Sequence, residues 1–418
     1  MTFAALGLID PLLRTLEALE YSSATPIQTQ AIPAVLKGRD LLASAQTGTG
    51  KTAAFALPVL QTLLHQGPKA SSNSTRALVL VPTRELAEQL LQSFQRYGED
   101  LPLRSYAAYG GVSINPQMMA LRKGVDVLIA TPGRLLDLYR QNAVKFSQLQ
   151  MLVLDEADRM LDLGFADELD QVVCALPSRR QTLMFSATFA VPVRQLADGL
   201  LRDPLTLDIS PRNSAARSVE QWVIPVDKKR KGDLLLQLLV QQAGAQALVF
   251  LNTRKGVEQL VERLEGEGIS ADAIHGDRPQ PARLRALARL KASEVQVLVA
   301  TDVAARGLDI QQLPLVVNFD LPINAEDYIH RIGRSGRAGS SGQAISLVSA
   351  DEVRQLAAIE TLTQQLLERR EQPDFAPEHR VPETRIGGQL VKKPKKPKKS
   401  KQAGGKKKIH LGNWFDEP

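Results

Sequence analysis

The sequence predicts an α/β protein made of two tandem parallel-sheet domains, followed by a disordered basic C-terminal tail. Three observations carry this. Apolar strands alternate with amphipathic helices along the chain. RALVLVPTRELAEQLLQSF (76–94) recurs 170 residues later as QALVFLNTRKGVEQLVERL (246–264), and eight of the sixteen positions of Arg76–Leu91 are identical in the two copies. The same displacement pairs VLIAT (127–131) with VLVAT (297–301), so one fold is repeated. Finally, VKKPKKPKKSKQAGGKKK (391–408) has almost no apolar residues and cannot bury enough surface to order itself. The expected organisation is a first domain at 1–208, a linker at 209–220, a second domain at 221–370 and a tail at 371–418. The linker falls in LDISPRNSAARSVEQ (207–221), which lacks strong periodicity.

Composition narrows the class. The chain has 418 residues, enough for two or three domains with substantial cores. The single cysteine, Cys174, excludes an intrachain disulfide and fits a reducing compartment. Five scattered histidines, without a second cysteine or an H-E-x-x-H pattern, argue against zinc. MTFAALGLIDPLLRTLEALE is amphipathic and lacks a basic leader, and no apolar run approaches a membrane span. A cytoplasmic protein without a membrane partner is expected. The net charge of +7 is unevenly placed: 392–408 hold ten lysines and no acid. Setting aside those lysines and the two later acids, Asp416 and Glu417, leaves −1 for the first 391 residues. Any basic groove in the body must therefore be local.

ASAQTGTGKT (43–52) has the composition of a phosphate cradle. Gly48 and Gly50 let backbone N–H groups approach anionic oxygens. Lys51 can then reach the β- and γ-phosphates and Thr52 can offer a hydroxyl to Mg²⁺. The strict pattern begins with glycine, whereas this loop begins with Ala45; the alternative is a chance Gly-rich turn before a helix. Next, MLVLDEAD (151–158) runs four apolar residues into acids. A buried strand ending this way delivers carboxylates to the sheet edge where α/β folds bind ligands. Asp155 suits Mg²⁺, largely through water, and Glu156 suits orienting and deprotonating a water; an exposed acidic turn is the alternative. QTLMFSAT (181–188) ends in Ser186 and Thr188, which by themselves read as a satisfied strand end.

The repeat fails at the phosphate loop, whose counterpart at +170 falls in PRNSAARS. One ATP per chain is expected, on the first domain. In the second domain YIHRIGRSGRAG (328–339) spaces Arg331, Arg334 and Arg337 three apart among glycines. Such arginines are costly to bury unless an anion meets them, which suggests fingers for the shared ATP; a solvated basic turn is the alternative.

With these residues in place the chain resembles the DEAD-box ATP-dependent RNA helicases of superfamily 2, most closely the bacterial RhlE type. The resemblance spans about residues 1–365, with every motif in family order. Ala45–Thr52 resembles motif I, Pro82–Ala87 motif Ia, Gly110–Gly111 the GG element, Thr131–Arg134 motif Ib, Asp155–Asp158 motif II and Ser186–Thr188 motif III. Leu248–Arg254 resembles motif IV, Gln280 and Arg283 the QxxR element, Ala300–Ile310 motif V and His330–Arg337 motif VI. TPIQ (25–28) with Phe3 resembles the Q motif, although Glu20, Tyr21 and Ala24 stand where the family has Gly, Phe and Pro.

The resemblance implies two RecA-like domains and an RNA-stimulated ATPase that locally unwinds short duplexes or remodels RNA–protein complexes. ATP would be held by Phe3, Gln28, Ala45, Gln46, Thr47, Gly48, Thr49, Gly50, Lys51, Thr52 and Asp309, with Phe3 stacking on the adenine and Gln28 reading its edge. Mg²⁺ would sit by Thr52 and Asp155. Catalysis would rest on Lys51, Asp155, Glu156, Arg334 and Arg337. Arg84, Gly110, Gly111, Thr131, Arg134, Asp137, Arg254, Gln280, Arg283 and Thr301 would touch the RNA backbone. Ser186, Thr188, Asp302, His330 and Arg331 would couple the domains. Arg84 and Thr131 have repeat partners in Arg254 and Thr301, so equivalent turns would grip successive phosphates without reading bases. The polylysine tail would tether RNA. A monomer is expected, with ribosomal particles or RNA-decay complexes as family-type partners. An ATP-gated RNA clamp and a DNA translocase remain the alternative functions.

Overall fold

The computed structural model describes residues 1–44, 49–209, 219–242, 244–305, 313–335, 342–387 and 389–390. Among them are two seven-stranded sheets in which every pairing is parallel. The first comprises β1 (Leu41–Ser44), β2 (Thr75–Leu80), β3 (Ser105–Ala108), β4 (Val125–Ala130), β5 (Met151–Leu154), β6 (Gln181–Ser186) and β7 (Leu205–Asp208). The second comprises β8 (Glu220–Pro225), β9 (Ala247–Phe250), β10 (Ala271–Ile274), β11 (Val297–Ala300), β12 (Leu315–Asn318), β13 (Gln343–Val348) and β14 (Glu368–Arg369). Their spatial orders are β3-β4-β2-β5-β6-β1-β7 and β10-β11-β9-β12-β13-β8-β14. Each strand of one order has a counterpart in the same place in the other. The sequence repeat, visible only around β2/β9 and β4/β11, is thus a repeat of whole-sheet topology.

Burial on both faces explains the uninterrupted apolar strands. Every residue of β2, β4, β5, β9, β11 and β12 is buried. The pleat sends alternate side chains to opposite cores. Ala77 and Val79 join Phe55 and Phe94 on one face, whereas Leu78 and Leu80 join Leu136 and Met160 on the other. In the second lobe Ala247 and Val249 separate in the same way from Leu248 and Phe250. Each fully buried Leu, Val or Phe contributes roughly 1.5–3 kcal/mol. Polar residues are thereby left to the strand ends, where the site is found.

The structure departs from the expected tail boundary at residue 370. Phe375 is buried in the second-lobe core, with the Arg230 guanidinium 4.5 Å from its ring centroid. Val381 packs with Tyr328 and Leu356. Arg369 donates to the carbonyls of Val381 and Pro382 at 2.9 and 2.8 Å, and Asp227 accepts the Glu378 N–H at 2.8 Å. A hairpin of β15 (Thr384–Arg385) and β16 (Gln389–Leu390) follows. Two apolar anchors in an aperiodic run are too sparse to register as an element. The lysine run from 391 onward and linker residues 210–218 lie outside the described residues. Among the described residues no helix is long and apolar enough to cross a membrane.

Candidate active site

Of the phosphate loop, Ala45, Gln46, Thr47 and Gly48 lie outside the described residues, and Thr49 to Thr52 inside them. Gly50 caps the helix Lys51–His65 with φ 91°, and a Cβ there would stand 2.3 Å from Gln28 Nε2. Only glycine fits. Gln28 is buried; its Oε1 accepts the Thr25 N–H at 2.9 Å and its Nε2 donates to the Gly50 carbonyl at 3.1 Å. The residue expected to read adenine therefore also ties the helix Pro26–Leu36 to the phosphate loop. One N–H and one lone pair of the amide remain for a ligand. Phe3 differs from expectation. It is 5% exposed and packs edge-on against Tyr21, centroids 6.2 Å apart, so it offers a purine little open face. Its short 3-10 turn folds the ring into the core, and Tyr21, 37% exposed, is the more open ring beside it.

Lys51 Nζ lies 3.9 Å from Asp155 Oδ1, and both side chains are buried. Burial pushes the Asp155 carboxyl up and the Lys51 ammonium opposes it. A buried carboxylate with one distant cation is a place where further positive charge is favoured. Thr52, half-buried on the first turn of the same helix, would add a hydroxyl to that carboxylate, and hard oxygen donors of this kind suit Mg²⁺. Glu156 holds φ 54° and ψ 51°, a left-handed conformation that costs a non-glycine residue about 1–3 kcal/mol. The turn is held on both sides. Asp155 Oδ1 accepts the Glu156 N–H at 3.0 Å. Asp158 Oδ2 accepts the N–H groups of Ala187 and Thr188 at 3.0 and 3.1 Å. Ser186 Oγ donates to the Thr188 carbonyl at 2.7 Å. The turns after β5 and β6 thus form one unit. Asp158, which joins them, is a site residue that the sequence did not single out; its membership of the acidic tetrad was the available signal.

In the second lobe Arg331 is fully engaged. It makes a bidentate pair with Asp302 at 2.5 and 2.6 Å and donates to Asn318, Asn252 and the Asp320 carbonyl at 3.1, 3.1 and 2.6 Å. All these partners are in its own lobe, so Arg331 organises that lobe and does not bridge to the first. Arg334 is buried nearby and His330 half-buried, while Asp309 and Arg337 lie outside the described residues.

Contact between lobes comes from residues placed elsewhere by the sequence. Arg283, expected on RNA, is buried and lies 2.8 Å from Glu85 of the first lobe, which is also buried. The oxygen is off the N–H direction, making this an ion pair without an aligned hydrogen bond. Burial pushes the Arg283 guanidinium down and Glu85 holds it up. Gln280 is buried beside it, 3.5 Å away. The helix Gln280–Lys291 turns both residues inward, so neither is presented as an open phosphate contact. Arg159, which none of the sequence motifs pointed to, is buried with Nε and Nη2 lacking hydrogen-bond partners. Burial lowers its pKa, while Asp162, Glu156 and then Asp302 of the second lobe raise it.

The remaining expected RNA residues stand on matched turns. Arg84 opens the helix Arg84–Tyr97, capped by Thr83, whose side chain accepts the Leu86 N–H at 3.3 Å. Arg254 opens Arg254–Gly266, capped by Thr253, which accepts the Gly256 N–H at 3.1 Å. Thr131 and Thr301 likewise precede helices after β4 and β11. Gly111, at φ 78°, has the Arg84 guanidinium packed over it: a Cβ there would lie 1.9 Å from Nη1 and would push the guanidinium away. Gly110 beside it is half-buried. Arg134 donates to the Val112 carbonyl at 2.9 Å and pairs with exposed Asp137 at 3.9 Å. Its Nε and Nη1 are buried without hydrogen-bond partners, an arrangement an anion would satisfy.

The second lobe also retains the counterpart of Lys51. Lys231 opens the helix after β8 as Lys51 does after β1, and its Nζ is 3.8 Å from Asp320, just beyond β12. Here, however, Glu352 already neutralises the ammonium at 2.6 Å, and the Phe319 carbonyl accepts from it at 2.7 Å. No charge is left for a phosphate, so a single nucleotide on the first lobe is favoured.

A glycine-capped helix whose first lysine faces a buried acid not otherwise neutralised, on one of two parallel sheets of matching order, is the arrangement of a nucleoside triphosphatase of two RecA-like lobes. The DEAD/DEAH box helicase model matches residues 25–196 and the helicase conserved C-terminal domain model residues 230–339. The DEAD-box ATP-dependent RNA helicase CshA of Bacillus cereus (strain ATCC 10987 / NRS 248) is 40% identical over 372 residues, covering 89% of this chain and 70% of the relative. That of Bacillus subtilis (strain 168) is 38% identical over 373 residues, covering 89% and 74%. Among solved structures, S. cerevisiae Dbp5 bound to RNA and ADP BeF3 gives a TM-score of 0.79 at 33% identity, covering 89% of this chain and 96% of that one. A DEAD box protein from Methanococcus jannaschii gives 0.52 at 32% identity, covering 88% and 99%. The chain belongs to the DEAD-box ATP-dependent RNA helicases. It is an enzyme that hydrolyses ATP in acting on RNA.

Proposed function

We propose that the chain separates short RNA duplexes locally and without sequence preference, by closing two backbone grips over one ATP. The observation that carries this is the buried Glu85–Arg283 pair, which can form only when the lobes meet. The likeness to Dbp5 bound to RNA and ADP BeF3, at a TM-score of 0.79 over 89% of this chain, supports the same reading. Lys51 holds the β- and γ-phosphates, Glu156 orients and deprotonates the attacking water, and Arg334 with Arg337 meets the γ-phosphate on closure. Thr52 and Asp155 would hold Mg²⁺, largely through water, and the ion would supply charge neutralisation at the phosphates. Arg84, Thr131 and Arg134 grip one stretch of backbone and Arg254 and Thr301 the next. Closure fixes their spacing and bends the strand, and a bent strand cannot remain in an A-form duplex; product release reopens the cleft.

The RhlE-type assignment rests on motif resemblance, whereas the relatives above carry the CshA name. A monomer acting in the cytoplasm on RNA-rich particles is the setting this reading implies. Strand separation tests the function: a short RNA duplex should be opened with ATP, and a DNA duplex of equal length should not. Opening of the DNA duplex at a similar rate would favour the translocase reading, and RNA held for long periods without opening would favour a clamp. The lysine run 392–408 is read as a tether. Truncation after Leu390 should raise the RNA concentration for half-maximal ATPase and flatten its salt dependence by about 0.7 for each phosphate no longer neutralised. Unaltered affinity and slope would leave the tail a solubilising appendage.

A further inference from the structure

We propose that Asp277 is a built-in competitor for RNA phosphate at the second lobe's arginine grip, making that grip weaker than its counterpart. The proposal rests on the reading of Arg254 as an RNA-backbone contact. The two grips can be aligned through the registers of the two sheets. Ala108 at the end of β3 pairs with Ala130, and Ile274 at the end of β10 pairs with Ala300, the +170 counterpart of Ala130. Gly110–Gly111 therefore corresponds to Gly276–Asp277. In the first lobe Arg84 lies directly against Gly111, where a side chain would collide with it. Among the described residues no carboxylate forms an ion pair with Arg84. In the second lobe Arg254 lies over Gly276, with Nη2 3.6 Å from where a Cβ would be, and its Nη1 is paired with the Asp277 carboxylate.

Both members of this pair are exposed, at 61% and 63%, so solvent screens it and burial does not hold it. Among the described residues no second cation pairs with Asp277. Arg278 is engaged by Glu258 and Asp272 at 2.8 and 2.9 Å, and His275 also faces Glu258, at 2.6 Å. A phosphate approaching Arg254 must therefore displace a carboxylate and then remain beside its charge. The same approach to Arg84 meets no such competitor. An arginine already neutralised also contributes less to salt-sensitive binding, because fewer ions are exchanged when the phosphate arrives.

The test measures binding of single-stranded oligouridylate to the full chain, with a non-hydrolysable ATP analogue, over a range of salt. Asp277→Asn keeps the shape of an exposed side chain and removes its charge. It should tighten binding about two- to fivefold, the range of exposed ion pairs, and steepen the salt slope by about 0.7. In an Arg254→Gln background the same change should give much less. If Arg254→Gln weakens binding but Asp277→Asn leaves affinity and slope unchanged, or weakens them, the competitor role is overturned and Asp277 instead orients Arg254. If Arg254→Gln itself has no effect, the contact reading fails and the proposal falls with it. A matching melting temperature for each variant shows that the comparison concerns binding and not folding.

Discussion

Glu156→Gln should lower ATP turnover about a hundredfold or more while ATP-dependent RNA binding persists, the scale expected for losing a positioned base. The substitution preserves side-chain size and hydrogen bonding and leaves the backbone N–H that Asp155 accepts. The strained turn is held by Asp155 and Asp158 and is retained in the variant. The defect should therefore appear in the rate of hydrolysis and not in nucleotide affinity. Lys51→Ala separates the two effects, since it removes a phosphate contact and should weaken binding of ATP itself. Single-turnover hydrolysis and RNA retention measured on the same preparations check both outcomes. Near-parental turnover by Glu156→Gln would show that another group activates the water.

Arg283→Met should impair RNA-stimulated turnover at least tenfold, because closure would then bury Glu85 without its cation. Breaking a buried pair on one side costs roughly 3–5 kcal/mol, and this cost falls only on the closed state, since open lobes leave Glu85 to water. Glu85→Gln should act in the same direction. The double variant, with no charge left to bury, should recover part of the loss, and the coupling between the two changes measures the pair. Strictly additive losses would mean that the two residues act separately, with Arg283 serving RNA as the family resemblance implied.

The fold and the nucleotide site were more legible in the sequence than the contact between lobes, for physical reasons. Parallel strands covered on both faces must be apolar, so Ala77–Leu80 and Ala247–Phe250 declared themselves and exposed the repeat. The glycine at 50 has a reason in the structure, since a Cβ there would meet Gln28, while Ala45–Gly48 of the same loop lie outside the described residues. The Glu85–Arg283 pair was not legible: it joins residues nearly 200 positions apart on exposed-looking helical turns, and no periodicity encodes such a meeting. Arg331 misled for a related reason. The family resemblance implied coupling between the lobes, whereas Asp302, Asn318 and Asn252 satisfy the guanidinium inside its own lobe. Phe3 and the run containing Phe375 and Val381 are buried by tertiary packing that short local patterns do not report.

RNA is expected to close the two lobes over one ATP. Steady-state ATP turnover of the intact chain, titrated with single-stranded RNA and with DNA of the same length, tests it most directly. The expected result is a low rate without nucleic acid, a saturable rise of about tenfold or more with RNA, since closure positions the reacting groups, and little response to DNA. A rate indifferent to RNA, or raised equally by DNA, would contradict it.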